Sequence, residues 1–253
     1  MDDEVKVEAD AGVLQVRLNR PSKKNALTSG MYARMADAVQ HAQSDPAVRV
    51  LLFTGGPKDF TAGNDLVDFL DPARDASAVT RFLKTLPELD KPVVAAVNGY
   101  AVGIGTTMLL HCDLVYVGRS AKLRMPFVGL GLVPEFGASL LLPRLVGSQR
   151  AASLLLLGET LGGEQAVDLG LATEALADDA VQARALAQAR ELAARPPDAV
   201  QATKKLLRAE IRERLQTVID KEMHVFAERL RSPEAREAMG ATLEKRKPDF
   251  SKL

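Results

Sequence analysis

Val93-Val94-Ala95-Ala96-Val97 is an unbroken apolar run that passes straight into Asn98-Gly99-Tyr100-Ala101-Val102-Gly103-Ile104-Gly105 and then into a helix expected from about Ile104 to His111. A strand that is apolar at every position has to be covered on both faces, so helices must lie on either side of it. The same kind of unit occurs earlier in the chain. Val13 to Leu18 sets Leu14, Val16 and Leu18 against Val13, Gln15 and Arg17, the period-two pattern of a strand with one wet face, and stops at Asn19-Arg20-Pro21. After the polar Ser22-Lys23-Lys24-Asn25 a helix opens with Thr28 as its N-cap, and Met31, Met35, Ala38, Val39 and Ala42 recur at helical spacing until Asp45-Pro46. Val48 to Thr54 reads as a buried strand closed by Gly55-Gly56, and Leu114 to Val117 and Lys122 to Met125 as further strands. Strands alternating with helices specify an α/β core. From about Gly137 amphipathic helices take over, notably Asp178 to Ala194 and Ala199 to Leu230, and Arg195-Pro196-Pro197 is the clearest hinge between them.

Charge and composition remove several function classes. The 33 basic residues are matched by 33 acidic ones, which argues against a protein built to bind nucleic-acid backbone. A single cysteine, Cys112, rules out an intramolecular disulfide and every multi-cysteine zinc site. His41, His111 and His224 are scattered, so no bound metal is expected. The N-terminus, MDDEVKVEAD, is acidic where a signal peptide would be basic and then apolar. No run approaches the roughly 18 apolar residues of a membrane span, so no membrane partner is expected. The last residues, Ser251-Lys252-Leu253, match the peroxisomal tripeptide. The Ala-, Leu- and Arg-rich usage looks bacterial, so a cytoplasmic location is expected, with a peroxisomal one the alternative in a eukaryote.

Two loops place small residues just behind apolar strands, where backbone amides approach a ligand closely: Phe60-Thr61-Ala62-Gly63-Asn64-Asp65-Leu66 and Asn98 to Gly105. If each supplied one N–H to a single oxygen they would form an oxyanion hole, in which one donor is worth roughly 2.7 to 4 kcal/mol of transition-state stabilisation. Taken one loop at a time, turns that need glycine for a positive φ explain them at least as well. Gly103-Ile104-Gly105 is no dinucleotide fingerprint, because the third glycine is missing at the required spacing.

Taken in order, these pieces resemble the crotonase superfamily, also called the enoyl-CoA hydratase/isomerase family. The matching residues are Leu18-Asn19-Arg20-Pro21 with Asn25-Ala26-Leu27, the Phe60 to Leu66 loop, Lys91 to Ala101, Cys112-Asp113 and the closing Glu244 to Phe250. The resemblance implies a spiral of ββα units over residues 1–195 and a helical oligomerisation region over 196–253, assembled as a homotrimer or a dimer of trimers. It implies an acyl-CoA thioester substrate, with coenzyme A present only as part of that substrate and no other cofactor. It puts the oxyanion amides at Ala62 and Ile104. Lys24, Ala26, Gly63, Asn64, Asp65 and Gly103 then fall where coenzyme A or substrate is bound, although Asp65 reads better as a cap for the helix behind it. Asp113 also reads as structural.

Hydratases of this family use two glutamates. The resemblance puts Thr107 and Phe127 at those positions, and an unactivated hydroxyl is no carboxylate base. A carboxylate stands a few residues on, at Glu135 in Leu130-Gly131-Leu132-Val133-Pro134-Glu135-Phe136-Gly137. This pattern resembles the Δ3,Δ2-enoyl-CoA isomerases, in which a single glutamate serves as the base. Thr107, Phe127, Leu130 and Phe136 would line the acyl pocket. On its residues alone, Glu135 reads better as a first-turn glutamate facing the dipole of the helix after Gly137, and it is the resemblance, with both other acids missing, that reverses this. The expected activity is isomerisation of a 3-enoyl-CoA to trans-2-enoyl-CoA, as in β-oxidation of unsaturated fatty acids. A hydratase or another crotonase-type enzyme, and a non-catalytic acyl-CoA- or RNA-binding homologue, are the alternatives.

Overall fold

The computed structural model describes residues 4–71 and 75–253. Its elements in chain order are β1 (Val5–Asp10), β2 (Val13–Leu18), α1 (Ser29–Ser44), β3 (Val50–Thr54), α2 (Leu66–Leu70), α3 (Ala76–Thr85), β4 (Val93–Val97), β5 (Tyr100–Val102) and α4 (Ile104–Thr107). There follow β6 (Leu114–Gly118), β7 (Lys122–Arg124), α5 (Ala138–Val146), α6 (Ser148–Ala152), β8 (Thr160–Gly162), α7 (Gly163–Asp168) and β9 (Glu174–Leu176). The chain closes with α8 (Val181–Ala193), α9 (Pro197–Arg208), α10 (Arg212–Leu230) and α11 (Pro233–Leu243). Among the described residues no helix is long and apolar enough to cross a membrane.

The strands form a six-stranded sheet in the order β1-β2-β3-β4-β6-β9 and a three-stranded sheet in the order β5-β7-β8. In the larger sheet β1 is antiparallel to β2, and every pairing from β2 onward is parallel. Because successive strand side chains point to opposite faces, the apolar runs of β3 and β4 split between two packing layers. Leu51, Phe53, Val93, Ala95 and Val97 join the large core that holds α1 and α3. Val50, Leu52, Val94 and Ala96 meet Val181, Ala185, Ala189 and Ala193 along one stripe of α8. Small side chains every fourth residue let that helix lie close to the sheet. Each fully buried Val or Leu contributes about 1.5–3 kcal/mol, and the one polar residue of these two strands is Thr54 at the end of β3.

Thr28 caps α1 as its sequence position implies, its hydroxyl accepting from Met31 N at 3.3 Å. The strand expected from Val48 begins at Val50, and the long helix expected over 199–230 is two helices, broken at residues 209–211. In strand β1 the alternation of Val5, Val7 and Ala9 with Lys6, Glu8 and Asp10 is a strand signal that the expectations above left out, whereas the three-residue strands β5, β8 and β9 are too short to carry a period.

The two sheets meet at Asn98-Gly99. Asn98 donates from Nδ2 to Asp178 O at 2.7 Å, and its carbonyl receives Phe60 N at 2.7 Å. Gly99 sits at φ +57, and a Cβ there would lie 1.7 Å from the Lys58 carbonyl oxygen, so no other residue fits. The joint thereby sets the 98–104 loop beside the 59–65 loop.

Candidate active site

Three loops are laced together at the mouth of the site. Thr61 N donates to Tyr100 O at 2.8 Å and Val102 N to Thr61 O at 3.0 Å, which joins the two glycine-rich loops edge to edge. Gly63, at φ +91, lets them close up, since a Cβ would lie 2.8 Å from Val102 O. Asn25 ties in the third loop. Its Nδ2 donates to Asp59 O at 2.9 Å and Phe60 O at 3.0 Å, and its Oδ1 receives Arg20 N at 2.7 Å. Arg20 also bonds the Asp65 carboxylate at 2.6 Å and the Ala26 carbonyl at 3.0 Å. Asp65 caps α2 by receiving Val67 N and Asp68 N. Arg20 and these amide donors hold its carboxyl below the ordinary carboxylate range, against the opposing effect of burial. Asp65 and Ala26 are therefore parts of the lacing.

The lacing corrects one expected oxyanion donor. Ala62 N donates to Lys24 O at 2.9 Å, so that amide is consumed inside the protein. Thr61 N, Gly63 N and Asp65 N are likewise engaged. Of the amides from Thr61 to Asp65, only that of Asn64 has no acceptor among the described residues. On the facing loop, Gly103 N is bonded to Arg124 O, while Ile104 heads α4, where a first-turn amide has no intrahelical acceptor. Asn64 and Ile104 both line one cavity of about 380 Å³, together with Gly103, Phe127, Leu130 and Leu132. The Asn64 side chain is fixed from behind by Tyr32, whose hydroxyl donates to Oδ1 at 2.6 Å. Lys24 lies outside this cavity, its ammonium 4.5 Å from the centroid of the Tyr100 ring.

Glu135 is 5% exposed and opens into a second, adjoining cavity of about 570 Å³ lined by Phe69, Val79, Leu83, Met223 and Phe226. Asn64, Phe69 and Phe226 border both cavities, so the carboxyl and the amide pair lie on the two sides of a shared wall. Thr107 lines neither part, and its hydroxyl donates to Glu135 Oε1 at 3.0 Å. Phe136 does not line the pocket as expected. It is fully buried behind it, with its ring 4.1 Å from that of His111 and 5.7 Å from that of Phe82. The backbone at Phe136 is left-handed, at φ +62.

Burial pushes the Glu135 carboxyl up to about 8, and the charge of Glu222 adds to this against the Thr107 hydroxyl, which favours the ionised form. Glu135 does not satisfy the helix start behind it. That role falls to Glu222 of α10, which receives Gly137 N at 2.5 Å, Ser139 N at 2.9 Å and the Ser139 hydroxyl at 2.5 Å. Glu222 was not among the residues the sequence pointed to. The signal was its spacing from Leu215 and Ile219, which sets a carboxylate on the buried stripe of a helix. Beneath the same turn His111 holds the Phe136 carbonyl at 2.7 Å through Nε2, and since a carbonyl only accepts, that nitrogen carries the proton. Burial keeps the ring neutral by lowering its pKa to about 3. Asp113 is structural as expected, receiving Val93 N at 2.7 Å and pairing with Lys204 and Arg208.

Thr107→Val is expected to push the Glu135 titration above about 8, because the variant keeps the volume and loses the Thr107 hydroxyl as a donor to the carboxylate. An infrared pH titration of the carboxyl stretch would register the change. A titration unmoved or lowered would refute the assigned cause.

The model of the family described as Enoyl-CoA hydratase/isomerase matches residues 8–252. The 1,2-epoxyphenylacetyl-CoA isomerase of Escherichia coli K12 is 38% identical to this chain, with 96% of each covered. Enoyl-CoA delta isomerase 2 of Rattus norvegicus is 34% identical over 90% of this chain and 60% of its own length. Among solved structures, an enoyl-CoA hydratase/isomerase from Pseudoalteromonas atlantica T6c superposes with a TM-score of 0.95 at 42% identity, over 98% of this chain and all of that one. OdaA of Pseudomonas aeruginosa does so at 0.92 and 53% identity, over 96% and 99%.

Proposed function

Since this chain belongs to the enoyl-CoA hydratase/isomerase family, the crotonases, we propose that it moves the double bond of a 3-enoyl-CoA to the trans-2 position, with Glu135 as its single acid-base. The observation that carries this reading is the isolation of Glu135. It is a buried carboxyl whose pKa lies near neutrality, and among the described residues its one side-chain hydrogen bond comes from Thr107. A base poised near the working pH both takes and returns a proton with little penalty in either direction.

In the proposed reaction the thioester oxygen lies between the Asn64 and Ile104 amides, and the acyl chain runs past Phe69 and Phe226 toward Glu135. The Glu135 carboxylate removes a proton from C2. The electron pair moves into the dienolate, whose charge the two amides hold, and the same carboxyl then returns the proton at C4. Donors fixed in advance need no reorganisation as that charge grows. The stored proton is stable because burial favours the neutral acid. Thr107 and Phe127 supply no second carboxylate to activate a water, and Glu222 is committed to the α5 turn. Both features weigh against hydration.

The same reading includes assembly as a homotrimer or a dimer of trimers, supported by the exposed apolar pairs Leu156-Leu157 and Leu206-Leu207. It includes a cytoplasmic protein with no cofactor beyond the coenzyme A of its substrate. Side-by-side assay of the purified protein on 3-hexenoyl-CoA and crotonyl-CoA tests the reaction. Conversion of the first with negligible water addition to the second is expected. Fast hydration of crotonyl-CoA that survives Glu135→Gln would replace this reading with a hydratase.

A further inference from the structure

The segment that presents Glu135 is held in a conformation it would not keep alone. Phe136 and Gly137 are successive left-handed residues, at φ +62 and +73, and a non-glycine residue persists there only when its surroundings over-determine it. Two side chains from distant elements do so. His111 grips the Phe136 carbonyl from below, and Glu222, 8% exposed, grips Gly137 and Ser139 from α10. We propose that Glu222 is a positioning residue for Glu135, pinning the 135–139 turn and standing beside it as a fixed negative charge, so that α10 belongs to the catalytic apparatus as well as to the scaffold. This rests on the reading of Glu135 as the proton-transferring group.

Hydrogen bonding decides which of the two buried acids carries the charge. Glu222 receives three donors spread over both of its oxygens, whereas Glu135 receives the Thr107 hydroxyl. Burial raises the pKa of each, but the three donors pull Glu222 back toward ionisation. The donor set therefore makes Glu222 the better seat for negative charge and Glu135 the better seat for the proton. The other groups facing the pair fit this division. Asp71 and Arg231, of opposite sign, border the Glu135 cavity, and His111 beneath the turn is neutral. Arg214 and Lys221 line the outer groove that Glu222 shares with Ser139. Through Met223 and Phe226 the helix that carries Glu222 also walls the pocket. Displacement of α10 would therefore disturb the base and its cavity together.

The test compares wild type, Glu222→Gln, Glu222→Asp and Ser139→Ala as full-length protein. Two quantities are followed: the infrared pH titration of the Glu135 carboxyl, with its band assigned by loss in Glu135→Gln, and the thermal midpoint. Glu222→Gln is expected to move the Glu135 midpoint down by about one pH unit. Glu222→Asp, which keeps the charge, should leave the midpoint near wild type even where the fold is weakened. Ser139→Ala removes one donor from Glu222 and should produce a smaller shift of the same sign, and it decides the matter if Glu222→Gln does not fold. Folded variants that lose thermal stability while the Glu135 titration stays put would overturn the proposal and leave Glu222 a structural cap. Because this titration needs no substrate, a wild-type protein inactive on 3-enoyl-CoA would sink the isomerase reading alone.

Discussion

Glu135→Gln is expected to lower isomerase turnover by roughly 10²- to 10⁴-fold, the range for loss of a positioned general base, while making the folded protein more stable in mild alkali. The two effects have one cause. The carboxyl titrates at about 8 when folded against an ordinary 4.5, so the folded state binds a proton that the unfolded chain releases across that window. Wild-type stability must then fall as pH rises from about 4.5 to about 8, by about 1.4 kcal/mol per pH unit. Below the window both states are protonated and nothing is lost. Glutamine carries no charge to bury, so the variant should match wild type closely near pH 5 and exceed it by about 4 kcal/mol near pH 8.5. Urea unfolding midpoints at the two pH values give the comparison. A stability gap of the same size at both would mean that Glu135 is solvated, contrary to its burial.

Ile104→Pro should reduce kcat by about 10²- to 10³-fold with a small change in KM, because in the proposed reaction it deletes one of the two main-chain donors to the dienolate oxygen. Proline is acceptable at the first helical position, where the missing N–H has no intrahelical acceptor. The lost side chain is a separate matter, since Ile104 is buried. Ile104→Ala keeps the amide and serves as the control. Near-wild-type kcat in the proline variant would remove Ile104 from the oxyanion site. An equal loss in both variants would assign the effect to packing.

The α/β alternation, the covered strands β3 and β4 and the cap at Thr28 were legible because each leaves a periodic or chemical mark within a short window of sequence. The family resemblance drew on the same windows and brought Glu135, Asn64 and Ile104 into view. It expected an oxyanion donor at Ala62, whose amide is taken inside the protein, two residues before the Asn64 amide that the proposed reaction uses. Whether an amide is free depends on where a third loop hands over its carbonyls, and the Lys24 carbonyl that takes the Ala62 N–H is far away in sequence. Phe136 was misjudged for a similar reason, since its ring packs on that of His111 and not into the pocket. Glu222 escaped notice because its partners, Gly137 and Ser139, lie more than eighty residues away. The competition at Glu135 between burial and the helix start could not be resolved from sequence. Glu222 settles it by taking the amides of that helix start.

Single-turnover conversion of C2-dideuterated 3-hexenoyl-CoA, with the product analysed for label at C4, addresses the proton shuttle most directly. The account predicts deuterium carried from C2 to C4 by wild type, and conversion slowed by roughly 10²- to 10⁴-fold in Glu135→Gln. Product from wild type with no label at C4, or undiminished conversion by Glu135→Gln, would contradict it.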